Sequence, residues 1–468
     1  MSQELRIGIV GGGLVGALEA CLLAQRGFKV TLFESRHDGR NEPNYYGRSI
    51  NLAISHRGIS ALKRLNFDYV VQERAIPMKA RMIHNKSGKQ KPIPYDPDGR
   101  CIHSIERAGL NNFLLNKAEQ VFKVDIKFNH KLVDLDADRG ELVFRLFEGK
   151  SDDGRHRMSE QLYTYNFDLI FGCDGARSSV RSLLARQSQL ELTQQFIEHG
   201  YLELRIDPDE NGSFKMAPNY LHIWPRGQYM MIALPNKDCS FTCTLFMPYD
   251  ILGQIGNPDE GLRFFEKNFP DSIELIGADR IKNTLSTIRP SSLISIKCNP
   301  YYYKNKVVLL GDSAHAMVPF YGQGMNCGFE DCLVFDELLD DHVGNKPVPK
   351  VSGDTIGLIL EEYSRRRCPN GHSMCELAMY NYIEMRDLVN NWSFIMRKHL
   401  DNFLYRVFPS RWVPLYTMVT FSRIPIHECV RKRAEQDELL SKVWRITTIP
   451  LILGLISLGT LRARRLTA

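Results

Sequence analysis

Short apolar runs followed by glycine-rich turns predict three buried strands that lie far apart along the chain. They are Leu5 to Val10, the run that opens at Asp168, and Val307 to Leu310. Each is mostly apolar, which is typical of a strand covered on both faces in a parallel sheet. Helical patterns follow the first strand, from Ala17 to Arg26, and the last, from Glu330 to Asp341. The pattern therefore predicts one α/β unit assembled from distant segments.

The middle of the chain alternates between hydrophobic and polar residues. In residues 76–95 a turn at Asn85 to Gly88 separates two such stretches. Arg81 and Ile83 would share one face of a strand, with Tyr95 opposite on its partner. The pattern alone favours the simpler interpretation, in which the arginine faces solvent and the tyrosine lies at a sheet edge.

Residues 196–250 contain short stretches rich in β-branched and aromatic residues, separated by Gly, Pro and Asn. This composition predicts an antiparallel sheet that floors a pocket, with Thr244 and Phe246 pointing the same way. A helix is expected from about Pro258 to Phe269.

The last part of the chain, from Leu358 to about Lys442, is predicted to be helical, with aromatic residues that favour core packing. The Pro- and Gly-rich residues 344–357 before it predict a surface loop. Ile446 to Leu461 is uncharged and mostly apolar, with Trp444 and arginines at its ends. As a helix it would be about 24 Å long, shorter than the roughly 30 Å hydrocarbon core. It is either a buried terminal helix or a membrane contact, and its flanking residues favour the membrane.

Composition narrows the class of protein. A chain of 468 residues with 43% hydrophobic and 24% charged residues is an ordinary globular protein of about two or three structural units. Its net charge of +6 is small for this length, and the basic clusters at 365–367 and 431–433 are typical of solvated helix faces rather than of a nucleic-acid site. Because only a few polar residues precede the first strand, we expect no signal or transit peptide.

The cysteines are scattered. The chain has 11 of them, with no C-x-x-C pair and no cluster at metal-ligand spacing. This favours reduced thiols in a protein that faces the cytosol, and no metal site.

The glycines after the first strand carry the first candidate chemistry. Gly11-x-Gly13-x-x-Gly16 stands between strand and helix, and Glu34 ends the next strand, Lys29 to Phe33. This context is a dinucleotide fingerprint, in which the glycines admit a pyrophosphate and the carboxylate accepts hydrogen bonds from a ribose. The alternative is a glycine-rich turn with no ligand. The fingerprint alone does not separate NAD from FAD, but no second copy follows, so a nicotinamide cofactor lacks a Rossmann domain of its own.

Two further carboxylates stand where the other buried strands end. Asp174 and Asp312 are each next to a glycine at the carboxyl end of a strand, where open α/β sheets bind ligands. Gly322 to Asn326 then forms a loop in which backbone N–H groups can approach a ligand closely.

With these motifs placed, the chain resembles the single-component FAD-dependent aromatic hydroxylases, which share a p-hydroxybenzoate-hydroxylase-like fold. The resemblance rests on the fingerprint with Glu34, on Cys173-Asp174-Gly175-Ala176 and on Gly311-Asp312-Ser313-Ala314-His315. Further segments are similar to the kynurenine-hydroxylating members: residues 47–55, 80–84, 219–226, 241–248, 318–332, 379–386 and 414–421.

The resemblance implies the reaction. L-Kynurenine would be hydroxylated to 3-hydroxy-L-kynurenine with NADPH and O₂, through a C4a-hydroperoxyflavin, within tryptophan catabolism and NAD biosynthesis. The ring amine already activates the ortho carbon, so no catalytic side chain is expected beyond the flavin. We interpret His315 as a packing or capping residue.

The resemblance also implies site residues. The cofactor set is Gly11, Gly13, Val15, Gly16, Glu34, Arg36, Ala53, Arg107, Leu132, Asp174, Ser179, Asp312, Gly324, Met325 and Asn326. The substrate set is Arg81, Tyr95, Asn381, Tyr416, Thr244, Phe246, Pro319 and Phe320. In it, Arg81 would bind the substrate carboxylate as a planar cation, with the Tyr95 phenol donating beside it.

The expected organisation is a Rossmann-like FAD-binding domain, a substrate domain built on an antiparallel sheet, a C-terminal helical region and a terminal membrane-associated helix. The expected ranges are 1–75, 100–185 and 295–342 for the first, 76–99 and 186–294 for the second, 358–442 for the third and 444–465 for the last. The resemblance implies attachment to the mitochondrial outer membrane, with the catalytic domain facing the cytosol. Two alternatives stay open: an FAD monooxygenase of another aromatic or an isoprenoid substrate, and a non-catalytic flavin-binding membrane protein.

Overall fold

The computed structural model describes residues 5–40, 42, 51–150, 156–255, 257–287, 289–344, 351–386, 392–443 and 445. Its strands are β1 (Arg6–Val10), β2 (Lys29–Phe33), β3 (Leu52–Ile54), β4 (Ile76–Met78), β5 (Ala80–His84), β6 (Gln90–Pro94), β7 (Ile102–Ile105), β8 (Asp125–Lys127), β9 (His130–Asp136), β10 (Glu141–Lys150), β11 (His156–Asn166), β12 (Leu169–Gly172), β13 (Glu191–Ile206), β14 (Tyr220–Pro225), β15 (Met230–Pro235), β16 (Phe241–Pro248), β17 (Ser291–Asn299), β18 (Tyr302–Tyr303) and β19 (Val307–Leu309).

Its helices are α1 (Leu14–Gln25), α2 (His56–Arg64), α3 (Tyr69–Arg74), α4 (Arg107–Asn116), α5 (Ser179–Leu184), α6 (Tyr249–Gln254), α7 (Pro258–Asn268), α8 (Pro270–Ile276), α9 (Ala278–Thr287), α10 (Asp312–His315), α11 (Gly324–Val343), α12 (Gly353–Arg386), α13 (Trp392–Val407) and α14 (Leu415–Phe421). A π-helical turn (Lys117–Val121) and a 3₁₀ turn (Pro319–Tyr321) complete them, and residues 426–443 are also helical.

The predicted α/β unit is present as a six-stranded sheet in the order β18-β19-β12-β1-β2-β8. All neighbouring pairs are parallel except β18 with β19. The apolar runs that predicted β1, β12 and β19 are buried, and α1 packs against α11 beside them. Because β1, β12 and β19 are parallel neighbours, their carboxyl ends meet at one edge, which brings the three sequence motifs together.

The substrate-side sheet has seven strands in the order β17-β13-β16-β15-β14-β5-β6. The prediction of an antiparallel sheet needs one correction, since β14 and β5 run parallel. Successive residues face opposite sides: Trp224 and Met231 pack beneath α7 to α9, whereas Ile223 and Met230 pack toward α12 and the 3₁₀ turn. The sheet therefore has two apolar faces, and the second one closes the functional site.

Two predicted boundaries differ from the strand pairing. Ile76–Met78 pairs with β7 in a small sheet with β3, so the excursion into the large sheet begins after it. Ser291–Asn299 pairs with β13 and so belongs to the large sheet, although the prediction divided it at residue 295. The predicted loop 344–357 is also too long, because α12 begins at Gly353.

The C-terminal region is helical as predicted, and α12 packs against both α11 and the large sheet. Within the described ranges no helix combines the length and the apolar character needed to cross a bilayer. The apolar segment Ile446 to Leu461 lies outside those ranges.

Candidate active site

A cavity of about 460 Å³, here called the main cavity, runs from the carboxyl edge of the parallel sheet to the inner face of the seven-stranded sheet. It is lined by residues of all the predicted motifs: Gly11, Gly13, Leu14, Val15, Glu34, Ser35, Arg36, Asn51, Leu52, Ala53, Arg81, Tyr95, Ile102, Arg107, Cys173, Asp174, Gly175, Leu221, Met230, Ile232, Leu234, Phe246, Leu310, Asp312, Met317, Pro319, Phe320, Tyr321, Gly322, Gly324, Met325, Met385 and Tyr416.

The glycine fingerprint forms one end of this cavity. A Cβ built on Gly16 would lie 2.0 Å from the backbone oxygen of Gly11, so only glycine allows strand and helix to approach this closely. A Cβ on Gly13 would meet no protein atom within 4 Å, because it would point into the cavity. Gly13 therefore keeps open space that a pyrophosphate can occupy at the start of α1.

Glu34 lies beside the fingerprint and fixes its shape. One carboxylate oxygen accepts the backbone N–H of Gly12 at 2.9 Å, and the other accepts Arg36 Nε at 2.9 Å. Burial alone would raise the pKa of Glu34, but the hydrogen bonds and charge of Arg36 outweigh it and lower the pKa. The carboxylate is thus ionised and can accept a ribose hydroxyl, as predicted.

The two strand-end motifs are joined by Ser313. Its hydroxyl accepts the backbone N–H of Gly175 at 3.0 Å and lies 3.2 Å from Asp174 Oδ1. The Asp174 carboxylate also accepts the backbone N–H of Ser179 at 2.6 Å. Asp174 therefore lines the cavity and also holds the start of α5 against the adjacent motif.

Asp312 and Arg107 are charged side chains that face the cavity. The Asp312 side chain is accessible to solvent although it lies deep inside the protein. It is accessible because it lines the main cavity. Burial raises its pKa, and the charge of Arg107 opposes this rise. In the described part of the chain, no group donates a hydrogen bond to Asp312. A carboxylate held inside a protein without donors fits a ligand that carries hydroxyl groups, such as the ribityl chain of FAD.

The start of α11 completes the cofactor end; the loop predicted from Gly322 to Asn326 is shorter, because the helix begins at Gly324. Gly324 and Met325 line the cavity at the first turn of this helix, where backbone N–H groups and the helix dipole favour negative charge. The side-chain amide of Asn326 donates to the backbone oxygens of Ala53 (2.8 Å) and Gly322 (2.9 Å). Asn326 thus ties β3 to the loop, and its side chain is not part of the cavity wall.

Arg81 and Tyr95 meet at the opposite end, although the residue directly opposite Arg81 on β6 is Ile93 and Tyr95 follows the end of that strand. The Arg81 guanidinium lies 5.8 Å from the ring centroid of Tyr95 and 5.2 Å from that of Tyr416, and the two rings stack at 5.4 Å. Burial raises the pKa of Tyr95 well above its ordinary value, so its phenol stays protonated as a donor. That hydroxyl is buried and has no hydrogen-bond partner among the described residues.

Arg81 has one acidic partner, Glu384 of α12, whose carboxylate lies 2.9 Å from Nη1. Arg81 also lines the main cavity, beside the rings of Tyr95 and Tyr416. A buried guanidinium that lines the cavity beside a phenol is suited to a planar carboxylate ligand.

Between the two charged ends the wall is apolar. The side chains that form it are Leu221, Met230, Ile232, Leu234, Phe246, Met317, Pro319, Phe320 and Met385. Phe320 stacks on Tyr382 with centroids 3.9 Å apart and meets Phe246 edge-on at 4.9 Å. This apolar section of the cavity is suited to an aromatic ring.

Six predicted site residues do not line the cavity: Gly16, Leu132, Ser179, Asn326, Thr244 and Asn381. Leu132 packs in the core of the parallel-sheet unit. Thr244 is fully buried, and its hydroxyl has no hydrogen-bond partner in the part of the chain that the structure describes. Asn381 donates its amide to the backbone oxygen of Phe320 at 2.7 Å, so it positions the cavity wall from behind. His315 is also outside the wall, fully buried with Nε2 2.6 Å from Asp331.

Sequence reasoning missed Glu384 and Tyr321. Glu384 lies on α12 among aromatic residues whose spacing predicts core packing. Only its contact with Arg81 identifies it as a residue of the site. Tyr321 stacks on Tyr416 at 5.6 Å and lines the cavity. Its position directly after the predicted substrate residues Pro319 and Phe320 could have identified it.

Comparisons with known proteins agree with this geometry. Residues 4–340 match the family model described as an FAD binding domain. Among curated proteins, a kynurenine 3-monooxygenase of Anopheles gambiae is 45% identical over 94% of this chain and 87% of its own length. Those of Sus scrofa and Candida albicans are 44% and 40% identical, over 94% and 99% of this chain and 88% and 100% of their own lengths.

Solved structures share the fold at low sequence identity. A tetrameric 2-methyl-3-hydroxypyridine-5-carboxylic acid oxygenase superposes with a TM-score of 0.62 at 21% identity, covering 82% of this chain and 93% of that one. PqsL of P. aeruginosa in complex with 2-aminobenzoylacetate gives 0.63 at 17% identity, covering 82% and 97%. The match to curated relatives over nearly the whole length, together with a cavity that joins a dinucleotide cradle to an arginine-tipped apolar pocket, shows that the chain belongs to the kynurenine 3-monooxygenase family of FAD-dependent aromatic monooxygenases.

Proposed function

We propose that this chain hydroxylates L-kynurenine to 3-hydroxy-L-kynurenine with NADPH and O₂. The chemistry supplied by bound FAD is the reduction of O₂ with electrons from NADPH and the transfer of one oxygen atom to the aromatic ring, with water as the second product. The residues that would hold FAD are those of the fingerprint, Glu34, Asp312 and the start of α11. The work of the remaining residues is to bind, orient and shield the substrate.

The observation that carries this proposal is the buried Arg81 guanidinium beside the Tyr95 phenol, at the end of an apolar cavity that opens on the cofactor cradle. A guanidinium and a phenol side by side bind a carboxylate through charge-assisted hydrogen bonds. An aromatic amino acid held there by its carboxylate extends its ring past Phe246 and Phe320 toward Asp312 and Met325. Substrate and cofactor then meet at the junction that Pro319 to Gly324 forms.

The substrate ring needs a dry environment rather than a catalytic base. The ring amine of kynurenine already makes the ortho carbon electron-rich, and the described side chains around the ring position are apolar. Excluding water there protects the reactive oxygen from wasteful release as H₂O₂. We expect substrate binding to trigger cofactor reduction, so NADPH oxidation should be slow until kynurenine is added. Equal rates with and without kynurenine would contradict this coupling.

A substrate analogue tests the proposal directly. Kynuramine keeps the aryl ketone and the amine but lacks the α-carboxylate, so it cannot use Arg81. Its kcat/KM should be lower than that of L-kynurenine by roughly 30-fold or more, the effect of losing a buried charge-assisted contact. In Arg81→Met the two compounds should become similar. Kynuramine turned over as efficiently as kynurenine by the unaltered protein would refute the assigned carboxylate site.

We also propose that Ile446 to Leu461 contacts a membrane, with the mitochondrial outer membrane as the site and the catalytic part facing the cytosol. Support comes from the uncharged apolar sequence between Trp444 and the arginines at 462, 464 and 465. A chain ending at residue 443 should leave the membrane fraction. Retention of that shortened chain on membranes would place the anchor elsewhere.

A further inference from the structure

A second cavity, here called the outer cavity, adjoins the main cavity behind Arg81. Its volume is about 610 Å³. Arg81, Tyr95, Tyr321 and Tyr416 line both cavities and so form the partition between them. The other walls come mainly from α12, α13 and the helical residues 426–443.

Most charges in the outer cavity neutralise one another. Arg397 lies 3.1 Å from Asp401 and 2.6 Å from Asp437, and Arg433 lies 2.8 and 3.3 Å from the same two carboxylates. Two cations and two anions thus form a closed network. These four groups leave no net charge for a ligand to compensate.

Lys398 is the exception. Its ammonium group lies at the cavity wall and donates to the backbone oxygen of Pro94 at 3.0 Å. Among the residues that the structure describes, no carboxylate pairs with it, because Glu384 already pairs with Arg81. Burial lowers the pKa of Lys398 to about 8, and the charge of Arg81 lowers it further than Glu384 raises it. The outer cavity therefore carries one surplus positive charge that an anionic ligand would stabilise.

We propose that the outer cavity is a second binding site for the substrate, where the Lys398 ammonium captures the carboxylate of an aromatic amino acid before that carboxylate passes to Arg81. This inference rests on the proposed function. The outer cavity has room for such a molecule, and Leu377, Pro414 and Leu415 give it apolar surface for the ring.

The position of Arg81 explains why two cations are useful. The ring must enter the main cavity ahead of the carboxylate, since Arg81 stands in the partition and the apolar wall lies beyond it. A molecule held by its carboxylate at Lys398 can direct its ring at the partition. The carboxylate enters last and passes from Lys398 to Arg81, so it keeps a cationic partner throughout.

The test is the kinetics of L-kynurenine binding to the FAD-loaded protein without NADPH, followed by the flavin absorbance change in a stopped-flow instrument. Lys398→Met should lower the association rate constant by about 10- to 100-fold, the effect of losing one hydrogen bond to a charged group. The dissociation rate constant should fall by the same factor and leave Kd unchanged, because the final contact is with Arg81 and the substrate leaves by the route through which it enters. Lys432→Met removes an exposed lysine on the neighbouring helix and is the matched control.

Proton dependence gives a second readout. Between pH 7 and 9 the association rate constant of the unaltered protein should fall about ten-fold as Lys398 loses its proton, whereas Lys398→Arg should keep its rate. The charged and titratable groups that line the outer cavity with Lys398 are Arg81, Tyr95, Tyr321, Tyr380, Glu384, Tyr416, Arg433 and Asp437, with Arg397 and Asp401 on its own helix. The arginine variant separates Lys398 from all of these and from titration of the substrate.

The outcomes separate this inference from the proposed function. An association rate constant for Lys398→Met within two-fold of the unaltered value overturns the outer site, and so does a change confined to dissociation, which would place Lys398 at the final site. If the unaltered protein forms no hydroxylated kynurenine, the proposed function itself fails. If it does and Lys398→Met binds as fast, only the outer site fails.

Discussion

Replacing Arg81 by methionine separates carboxylate recognition from everything else in the cavity. Arg81 is 6% exposed, and its guanidinium donates to Glu384 at 2.9 Å while it faces two tyrosine rings. Methionine keeps the apolar stem but removes the cation. The substrate carboxylate would then enter a buried site without its charged partner.

The expected loss follows from that burial. Truncating one partner of a buried, hydrogen-bonded charge pair costs about 2–5 kcal/mol, which lowers kcat/KM for kynurenine by roughly 30- to 5,000-fold. FAD content should be unchanged, because the guanidinium lies at the far end of the cavity from the cofactor cradle. Glu384, whose side chain is 18% exposed, would lose its cation, at a cost of about 1–3 kcal/mol in folding free energy.

The assay is kynurenine-stimulated NADPH oxidation, measured beside flavin absorbance and urea-induced unfolding. The double variant Arg81→Met with Glu384→Gln should recover most of the lost stability, since it removes the unpaired carboxylate, but it should not recover turnover. An Arg81→Met protein whose kcat/KM stays within three-fold of the unaltered value would refute the assignment. Loss of FAD together with turnover would instead show a general structural effect.

Three further variants test the rest of the account. Gly13→Ala should fold normally, because its Cβ would meet no protein atom within 4 Å, but it should lose FAD affinity, because that Cβ would occupy the space for the pyrophosphate. Gly16→Ala should misfold, because its Cβ would lie 2.0 Å from the Gly11 oxygen. Circular dichroism and flavin fluorescence distinguish the two variants, and full FAD binding by Gly13→Ala would contradict the proposed cofactor site. Arg57→Met should lower the free energy of unfolding by about 3–5 kcal/mol, since the fully buried guanidinium pairs with a carboxylate at 2.6 Å; urea unfolding measures this, and a change below 1 kcal/mol would be unexpected. Phe246→Ala should raise the H₂O₂ formed per NADPH by admitting water to the ring wall, and unchanged coupling would show that this side chain does not shield the reaction.

The cofactor end could be predicted from sequence because its geometry is local. Each motif follows a buried strand directly, and parallel neighbouring strands place their carboxyl ends together. Glu34, Asp174 and Asp312 therefore converge without any knowledge of the rest of the chain. The turn at 85–88 likewise predicted that Arg81 and Tyr95 lie near each other, although the register pairs Arg81 with Ile93.

The substrate end could be predicted less completely because it depends on helix packing across long sequence separations. Glu384 and Lys398 stand on helices whose aromatic stripes indicate only core packing, so their approach to Arg81 is not visible in the pattern. Strand alternation placed Thr244 and Phe246 on one face correctly in principle, but it could not tell that Phe246 reaches the cavity while Thr244 is covered. Asn381 was likewise assigned to the substrate, whereas the structure shows it supporting Phe320.

Product analysis tests the central claim most directly. The purified FAD-loaded protein is incubated with L-kynurenine, NADPH and ¹⁸O₂, and the products are separated and identified by mass spectrometry. The account predicts 3-hydroxy-L-kynurenine that carries one ¹⁸O atom, with one NADPH oxidised for each molecule formed. NADPH oxidation that yields only H₂O₂, or no kynurenine-dependent oxidation, would contradict it.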